Sequence, residues 1–317
     1  MPPEALSSAL AHGPLLCLVG PTAVGKTAFA LDLAEALDAE VVSMDSMQVY
    51  RRMDVGTAKP GPDERARVRH HGLDLVEPSE RYDVRRFLGD LQGWLADIAG
   101  RGKRALLVGG AGLYLRVLER GLFEGPAPDP VLRTALNARA ASEGAPVLHA
   151  ELARRDPASA ERIHPNDTKR VVRALEVLEQ TGRRLSEWQA QWAAQPRPDR
   201  LRLVGLRRPR PALEARIADR IEAMLEAGWV EEAVAIRAST GFGPTAIQAL
   251  GYREVLAHAD GELERGPLAA LLAQRTRQFV RRQSTWFRSF QDIHWLDLDE
   301  HAARALAEAR RVLLSGS

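Results

Sequence analysis

The stretch Gly20-Pro21-Thr22-Ala23-Val24-Gly25-Lys26-Thr27 fits the spacing G-x-x-x-x-G-K-[ST]. Glycines at those places let backbone N–H groups turn toward an anion at the start of a helix. The lysine adds a mobile cation, and the threonine hydroxyl can hold Mg²⁺. An ordinary glycine turn has no need of Gly-Lys-Thr, so a phosphate cradle is predicted here. The motif names an anion rather than a reaction. Nucleotide hydrolases place an aspartate at the end of a later strand to organise Mg²⁺ and the attacking water. Here the apolar run Arg104 to Val108 leads into Gly109-Gly110-Ala111-Gly112, and no Asn-Lys-x-Asp guanine-reading sequence occurs. The acid expected close to the cradle is Asp45, in Asp45-Ser46-Met47-Gln48, just after the second apolar run. A carboxylate beside a bound polyphosphate can accept a proton from an incoming nucleophile. A turn or cap aspartate is the plainer reading of the same residue.

These groups need elements to hold them. Leu15 to Val19 reads as a buried strand, and Phe29, Ala30, Leu33 and Leu37 recur at helical spacing over Ala28 to Leu37. Val41 to Met44 and Arg104 to Val108 are further short strands, with a helix from Ala111 to Glu119 after the latter. Leu201 to Leu206 is another strand, and Ile293 to Leu298 a last one. Short apolar strands alternating with helices predict an α/β fold, a parallel sheet with helices on both faces. From 121 to 200 no strand pattern appears, and both edges are proline-rich, at Gly125 to Pro130 and at Pro196-Arg197-Pro198. An all-α insertion domain over 121–200 is therefore expected, splitting a core domain of 1–120 and 201–317. Its clearest helix opens at Asn166-Asp167, runs through Val171, Leu175 and Leu178, and stops at Gly182.

The chain has 317 residues, 45% of them apolar, enough to bury a core without a metal or disulfide staple. The single cysteine, Cys17, sits in the first apolar run and reads as a small buried hydrophobe. The start has neither a basic nor a long apolar segment, and no apolar run nears the roughly 20 residues of a membrane span. A cytoplasmic protein working as a monomer, with no membrane partner, is expected. Net charge is only +2, so any nucleic-acid footprint must be local. Two clusters qualify. From Arg275 to Phe290, Arg275, Arg277, Arg281, Arg282 and Arg288 alternate with Phe279, Trp286, Phe287 and Phe290, with no acid. On one helix, Arg277, Arg281, Ser284 and Arg288 would face phosphates, while Phe279, Gln283, Trp286 and Phe290 would face the core. Lys169, Arg170 and Arg173 make the second cluster, with Val171 and Leu175 packing inward.

The run Asp45 to Pro60 resembles the signature of tRNA dimethylallyltransferases. So do His164 to Asp167 leading into Lys169-Arg170-Val171-Val172-Arg173, then Gln248-Ala249-Leu250-Gly251-Tyr252-Arg253, and Arg281-Arg282-Gln283-Ser284-Thr285-Trp286-Phe287-Arg288. The similarity is colinear from about Leu15 to Trp295. It implies a P-loop NTPase-like core with a helical insertion that contacts the anticodon stem-loop of tRNA. It also implies transfer of a dimethylallyl group from dimethylallyl diphosphate to N6 of adenosine 37. Asp45 would be the base, and Lys26 with Arg253, Arg281 or Arg282 would meet the departing diphosphate, with Mg²⁺ on Thr27. The quoted blocks would contact tRNA, with Gln48 placed to read an adenine edge. Arg133 matches an RNA-contacting arginine of the family. Ala111 stands where the family usually has a threonine hydroxyl near the substrates, Arg52 where glycine is common, and Gly72 where a larger apolar residue is common. Two rival readings share parts of the pattern. One is a small-molecule kinase or a prenyltransferase acting on free adenine nucleotides, and the other is a non-catalytic ATP- and RNA-binding module.

Overall fold

The computed structural model describes residues 14–122, 125–193 and 201–315. The N-terminal start and the Pro196-Arg197-Pro198 edge singled out above lie outside them. The chain separates into two compact units, Met1–Glu119 with Asp199–Ser317, and Arg120–Pro198.

The first unit is built on six parallel strands, β1 (Leu15–Val19), β2 (Ala39–Met44), β3 (His70–His71), β4 (Arg104–Gly109), β5 (Leu201–Arg207) and β6 (Ile293–Asp297), in the order β3-β2-β4-β1-β5-β6. All of β1 and β2 is buried, which explains their unbroken apolar character; Cys17 is fully enclosed, and burial keeps its thiol protonated. The charged exception is Glu40, 6% exposed, tied to Arg101 and to His71 at 2.7 Å; Ser43 is the other polar residue of β2. Helix α1 (Lys26–Leu37) packs Ala30, Leu31, Leu33, Ala34 and Leu37 on the sheet. The sequence pattern carries little trace of β3, which has only two residues, of the short α2 (Pro62–Arg67), or of α3 (Val84–Gly100). In α3, Gly89, Gly93 and Gly100 dilute the helical signature, although Phe87, Leu88, Leu91 and Ile98 bury one face and the Asp83 side chain accepts from the N–H groups of Arg85 and Arg86. Helix α4 (Gly112–Arg120) follows β4.

The second unit is helical throughout its described residues, with α5 (Pro130–Glu143), α6 (Ala145–Arg155), α7 (Pro157–Arg162), α8 (Thr168–Thr181) and α9 (Leu185–Ala193). Leu136, Leu148, Leu152, Val171, Leu175 and Val177 form its core. Asp167 caps α8 through the Arg170 N–H, and Gly182, in the left-handed conformation, ends it.

After β5 the first unit resumes with α10 (Arg210–Glu226), α11 (Trp229–Ala238), α12 (Tyr252–Ala259), α13 (Arg265–Phe287) and, beyond β6, α14 (Leu298–Leu314). No helix among the described residues is long and apolar enough to cross a membrane.

Candidate active site

The P-loop leaves β1 at Gly20, whose φ of +153° is matched by crowding: a Cβ there would lie 2.7 Å from the Leu206 carbonyl oxygen. Ala23 at φ 64° and Gly25 at φ 104° are left-handed, so the loop winds into the start of α1. Its carbonyls are held by cations. Lys26 Nζ donates to Gly20 O at 2.9 Å and Pro21 O at 2.7 Å, Arg216 Nε to Ala23 O at 2.9 Å, and Arg208 Nε to Val24 O at 2.9 Å. With the carbonyls so committed, the N–H groups at the helix start are left for an anion. Burial and the nearby Arg220 push Lys26 down to about 7, against a smaller upward pull from Asp45. Burial, with Arg216 beside it, also lowers Arg220, and Asp45 pulls the other way. Arg208 is paired with Asp299, and Asp45 acts on Lys26 and Arg220; a bound polyanion would further relieve this partly desolvated cluster of cations.

Asp45 stands at the end of β2, and only β4 separates β2 from β1 in the sheet. Ligands in open parallel sheets bind at this carboxyl edge. Asp45 Oδ1 accepts from the Met47 N–H at 2.9 Å, which fixes the carboxylate. The loop that follows is clamped twice. Lys59, with its side chain fully enclosed, donates to Tyr50 O and to Asp54 and Asp74 carboxylates at 2.6 to 2.7 Å. Glu232 on α11 accepts from the N–H groups of Asp54 and Val55 at 2.7 Å, from Gly56 at 3.1 Å, and from the Tyr252 hydroxyl at 2.6 Å.

Thr22, Ala23 and Asp45 open onto a cavity of about 730 Å³ in the first unit. Gly110 to Tyr114 after β4 form another wall, as do Ile217, Arg220, Ile221 and Met224 of α10. Trp229, Ile247 to Gly251, Arg253, Phe279, Arg282, Gln283 and Trp286 are among the other residues that line it. Gln283 is 6% exposed; its amide accepts from Thr22 N–H at 2.9 Å and donates to Gly110 O at 3.1 Å, joining α13 to the cradle.

Of the residues singled out from sequence, Thr22, Ala23, Asp45, Ser46, Met47, Ala111, Gln248, Gly251, Arg253, Arg282, Gln283 and Trp286 meet at this cavity. Thr27 stands in the first turn of α1, behind the cradle. Others have different work. Gln48 is not an adenine reader in this arrangement: its amide donates to Thr57 O and Ala58 O and accepts from Ser43. Tyr252 and Phe287 are buried, and the Ser284 and Thr285 hydroxyls bond back to Val280 O and Arg281 O within the helix. Arg281 and Arg288 are exposed on α13 away from the cavity lining. In the insertion, Val171 and Val172 lie in the core, so their side chains are not RNA contacts. Arg133 and Arg173 both pair with Glu176, which is wholly buried; their first task is structural. Lys169 and Arg170 are exposed, with Arg170 beside Asp167. The aromatic face of α13 also differs from expectation. Phe279 and Trp286, each 36% exposed, border the cavity, and Leu268, Leu272, Thr276, Gln283 and Phe287 face the core. The helix begins at Arg265, so the register of its core stripe is set by leucines upstream of the arginine-rich stretch.

Sequence reasoning missed Arg208, Arg216, Arg220, Glu232 and Tyr114. A signal for two of them was present: Arg216-Ile217 and Arg220-Ile221 repeat at four-residue spacing, which puts both arginines on one helix face beside a buried stripe.

Comparison with known proteins agrees with this geometry. A family model described as IPP transferase matches residues 48–290, and one described as isopentenyl transferase matches 14–74. A tRNA dimethylallyltransferase 1 of Trichlorobacter lovleyi is 45% identical over 291 residues, 91% of this chain and 95% of that protein. A tRNA dimethylallyltransferase of Anaeromyxobacter dehalogenans is 47% identical over 283 residues, 89% of this chain and 94% of that one. Among solved structures, a tRNA isopentenylpyrophosphate transferase of Bacillus halodurans superposes with TM-score 0.69 at 36% identity, covering 94% of each chain. A eukaryotic dimethylallyltransferase acting on tRNA superposes with TM-score 0.72 at 28% identity, covering 94% of this chain and 79% of that one.

Proposed function

The chain belongs to the IPP transferase family, and on that premise we propose that it transfers a dimethylallyl group from dimethylallyl diphosphate to N6 of adenosine 37 in tRNA. The observation that carries this reading is the joint opening of an anion cradle and Asp45 onto one cavity, with glycines and Ala111 where a hydrolase keeps its water-organising acid. The diphosphate lies in the P-loop as a leaving group. As the allylic C–O bond breaks, its electron pair stays on the diphosphate, whose growing charge meets Lys26, Arg220 and the loop N–H groups. The N6–C bond forms, and the N6 proton passes to Asp45. Arg253 and Arg282 border the same cavity and are the α12 and α13 candidates for the diphosphate or the RNA backbone.

Mg²⁺ suits the site. The Thr27 hydroxyl in the first turn of α1 and the substrate's own phosphate oxygens are hard ligands, and among the described residues no cluster of three acidic, histidine or cysteine side chains offers an all-protein site. When bound, the ion would neutralise diphosphate charge. The exposed arginines of α13 are the first unit's candidate contacts to tRNA phosphates, and Lys169 and Arg170 are those of the insertion. The extruded base reaches Asp45 through the cavity.

Incubation with unmodified tRNA, Mg²⁺ and dimethylallyl diphosphate, followed by nucleoside mass analysis, tests this reading. A mass gain of one prenyl group on adenosine is expected; a phosphorylated product, or none, refutes it. Asp45→Asn is expected to keep tRNA affinity and lower turnover by about two to four orders of magnitude.

A further inference from the structure

Two side-chain donors bordering the cavity are buried without a partner among the described residues, the Tyr114 hydroxyl and the Trp229 indole N–H. Leaving a buried donor unsatisfied is destabilising, and a native fold keeps one chiefly where function supplies the acceptor. Trp229 is pressed against the Gly56 backbone, where an added Cβ would lie only 2.1 Å from Nε1, so that side has no room for a ligand atom. Tyr114 belongs to the cavity wall that follows β4. It stands in the first turn of α4, 4% exposed, with its ring stacked on Phe87 at 4.4 Å and 27°, which fixes the ring plane. Since β4 lies between β2 and β1, the helix that follows it can face either Asp45 or the cradle. Tyr114 and Asp45 line the same cavity, and burial first, with Asp45 next, raises the pKa of the hydroxyl, so it remains a donor.

We propose that the Tyr114 hydroxyl donates to a ring nitrogen flanking the exocyclic amine of the acceptor adenine while Asp45 accepts the amine's proton. The inference rests on the tRNA prenylation reading and adds to it a means of choosing the base. A carboxylate acceptor beside a hydroxyl donor matches an amine next to a bare ring nitrogen. An oxo-purine presents the reverse pattern on its N1 edge, a carbonyl oxygen toward the carboxylate and a ring N–H toward the hydroxyl. The donated hydrogen bond also draws electron density from the amine and makes its proton more acidic, which helps Asp45 remove it as the N6–C bond forms and the diphosphate departs. The tyrosine proton stays on its oxygen throughout.

Tyr114→Phe keeps the stack on Phe87 and removes one oxygen, so the fold persists. The variant and the wild type are assayed on tRNA carrying adenosine at the target position, or an analogue with carbon in place of N1 or of N7. The variant is expected to lose about tenfold in kcat/KM on adenosine, with tRNA affinity and donor KM unchanged. One of the two analogues should cost the wild type a similar factor and cost the variant nothing further, which also identifies the nitrogen. Equal use of both analogues and adenosine by the wild type overturns the proposal, as does a loss confined to donor KM. Failure of the wild type to prenylate natural tRNA would instead remove the underlying reading.

Discussion

Raising the pH should loosen the grip of the empty P-loop on diphosphate, through Lys26. Its ammonium is half-buried, bonded to Gly20 O and Pro21 O, and shares the site with Arg220; burial and that neighbour bring it to about 7. About half of the empty molecules therefore carry a neutral Lys26 at neutral pH. A bound diphosphate supplies the missing negative charge and restores the proton, so binding takes up a proton wherever the pH exceeds that value. From about pH 7 to about pH 8.5 the charged fraction falls from one half to roughly one thirtieth, a loss of about fifteenfold in affinity, or about 1.6 kcal/mol. The stability of the empty protein moves the opposite way. The folded pKa lies below the unfolded value, so the unfolded chain binds more protons in that window, and stability rises with pH by at most about 1.4 kcal/mol per unit. Calorimetric titration with pyrophosphate across this range, in buffers of different protonation enthalpy, measures both slope and proton uptake. Lys26→Met serves as reference, because it retains the ligand's own ionisation and lacks the lysine's. Parallel slopes for the two proteins, with equal proton uptake, refute the reasoning.

Three further expectations follow from the clamps and the charged surface. Glu232→Gln removes the carboxylate that receives three loop N–H groups and the Tyr252 hydroxyl; turnover should fall on the order of tenfold to a hundredfold with little change in tRNA affinity, as steady-state kinetics with binding measurements will show. Glu176→Ala leaves Arg133, Arg173 and the Asp129 N–H facing an uncompensated site; hydrogen exchange in the full chain should report about 3 kcal/mol less protection in α5 and α8 and little change in the first unit. Reversing charge at Arg277, Arg281 and Arg288 together should weaken tRNA binding and shallow its dependence on salt, each lost phosphate contact reducing the logarithmic slope by about 0.7 to 0.9; unchanged affinity and slope would mean that this face of α13 is merely solvated.

Local chemistry made part of this protein legible before any folding. Gly20 to Thr27 carry their meaning in their own spacing, because a left-handed turn entering a helix is encoded within eight consecutive residues. The fully buried strands β1 and β2 announce themselves as apolar runs, and α8 by its cap, stripe and terminal glycine. Asp45 could be named because a residue just after a strand must lie at the sheet's carboxyl edge. What chain-local patterns could not supply was which distant groups converge. Arg208, Arg216 and Gln283 hold the P-loop from positions 184 to 261 residues away, and nothing about an arginine on an amphipathic helix says whose carbonyl it will meet. Gln48 and Arg173 look like binding residues by type and turn out to satisfy buried partners, since a polar group's role depends on what surrounds it once water has been excluded. The same is true of Tyr114: its place in the sequence puts it three residues after Ala111, but only the packed structure brings it to the same cavity as Asp45 and leaves its hydroxyl without an acceptor among the described residues.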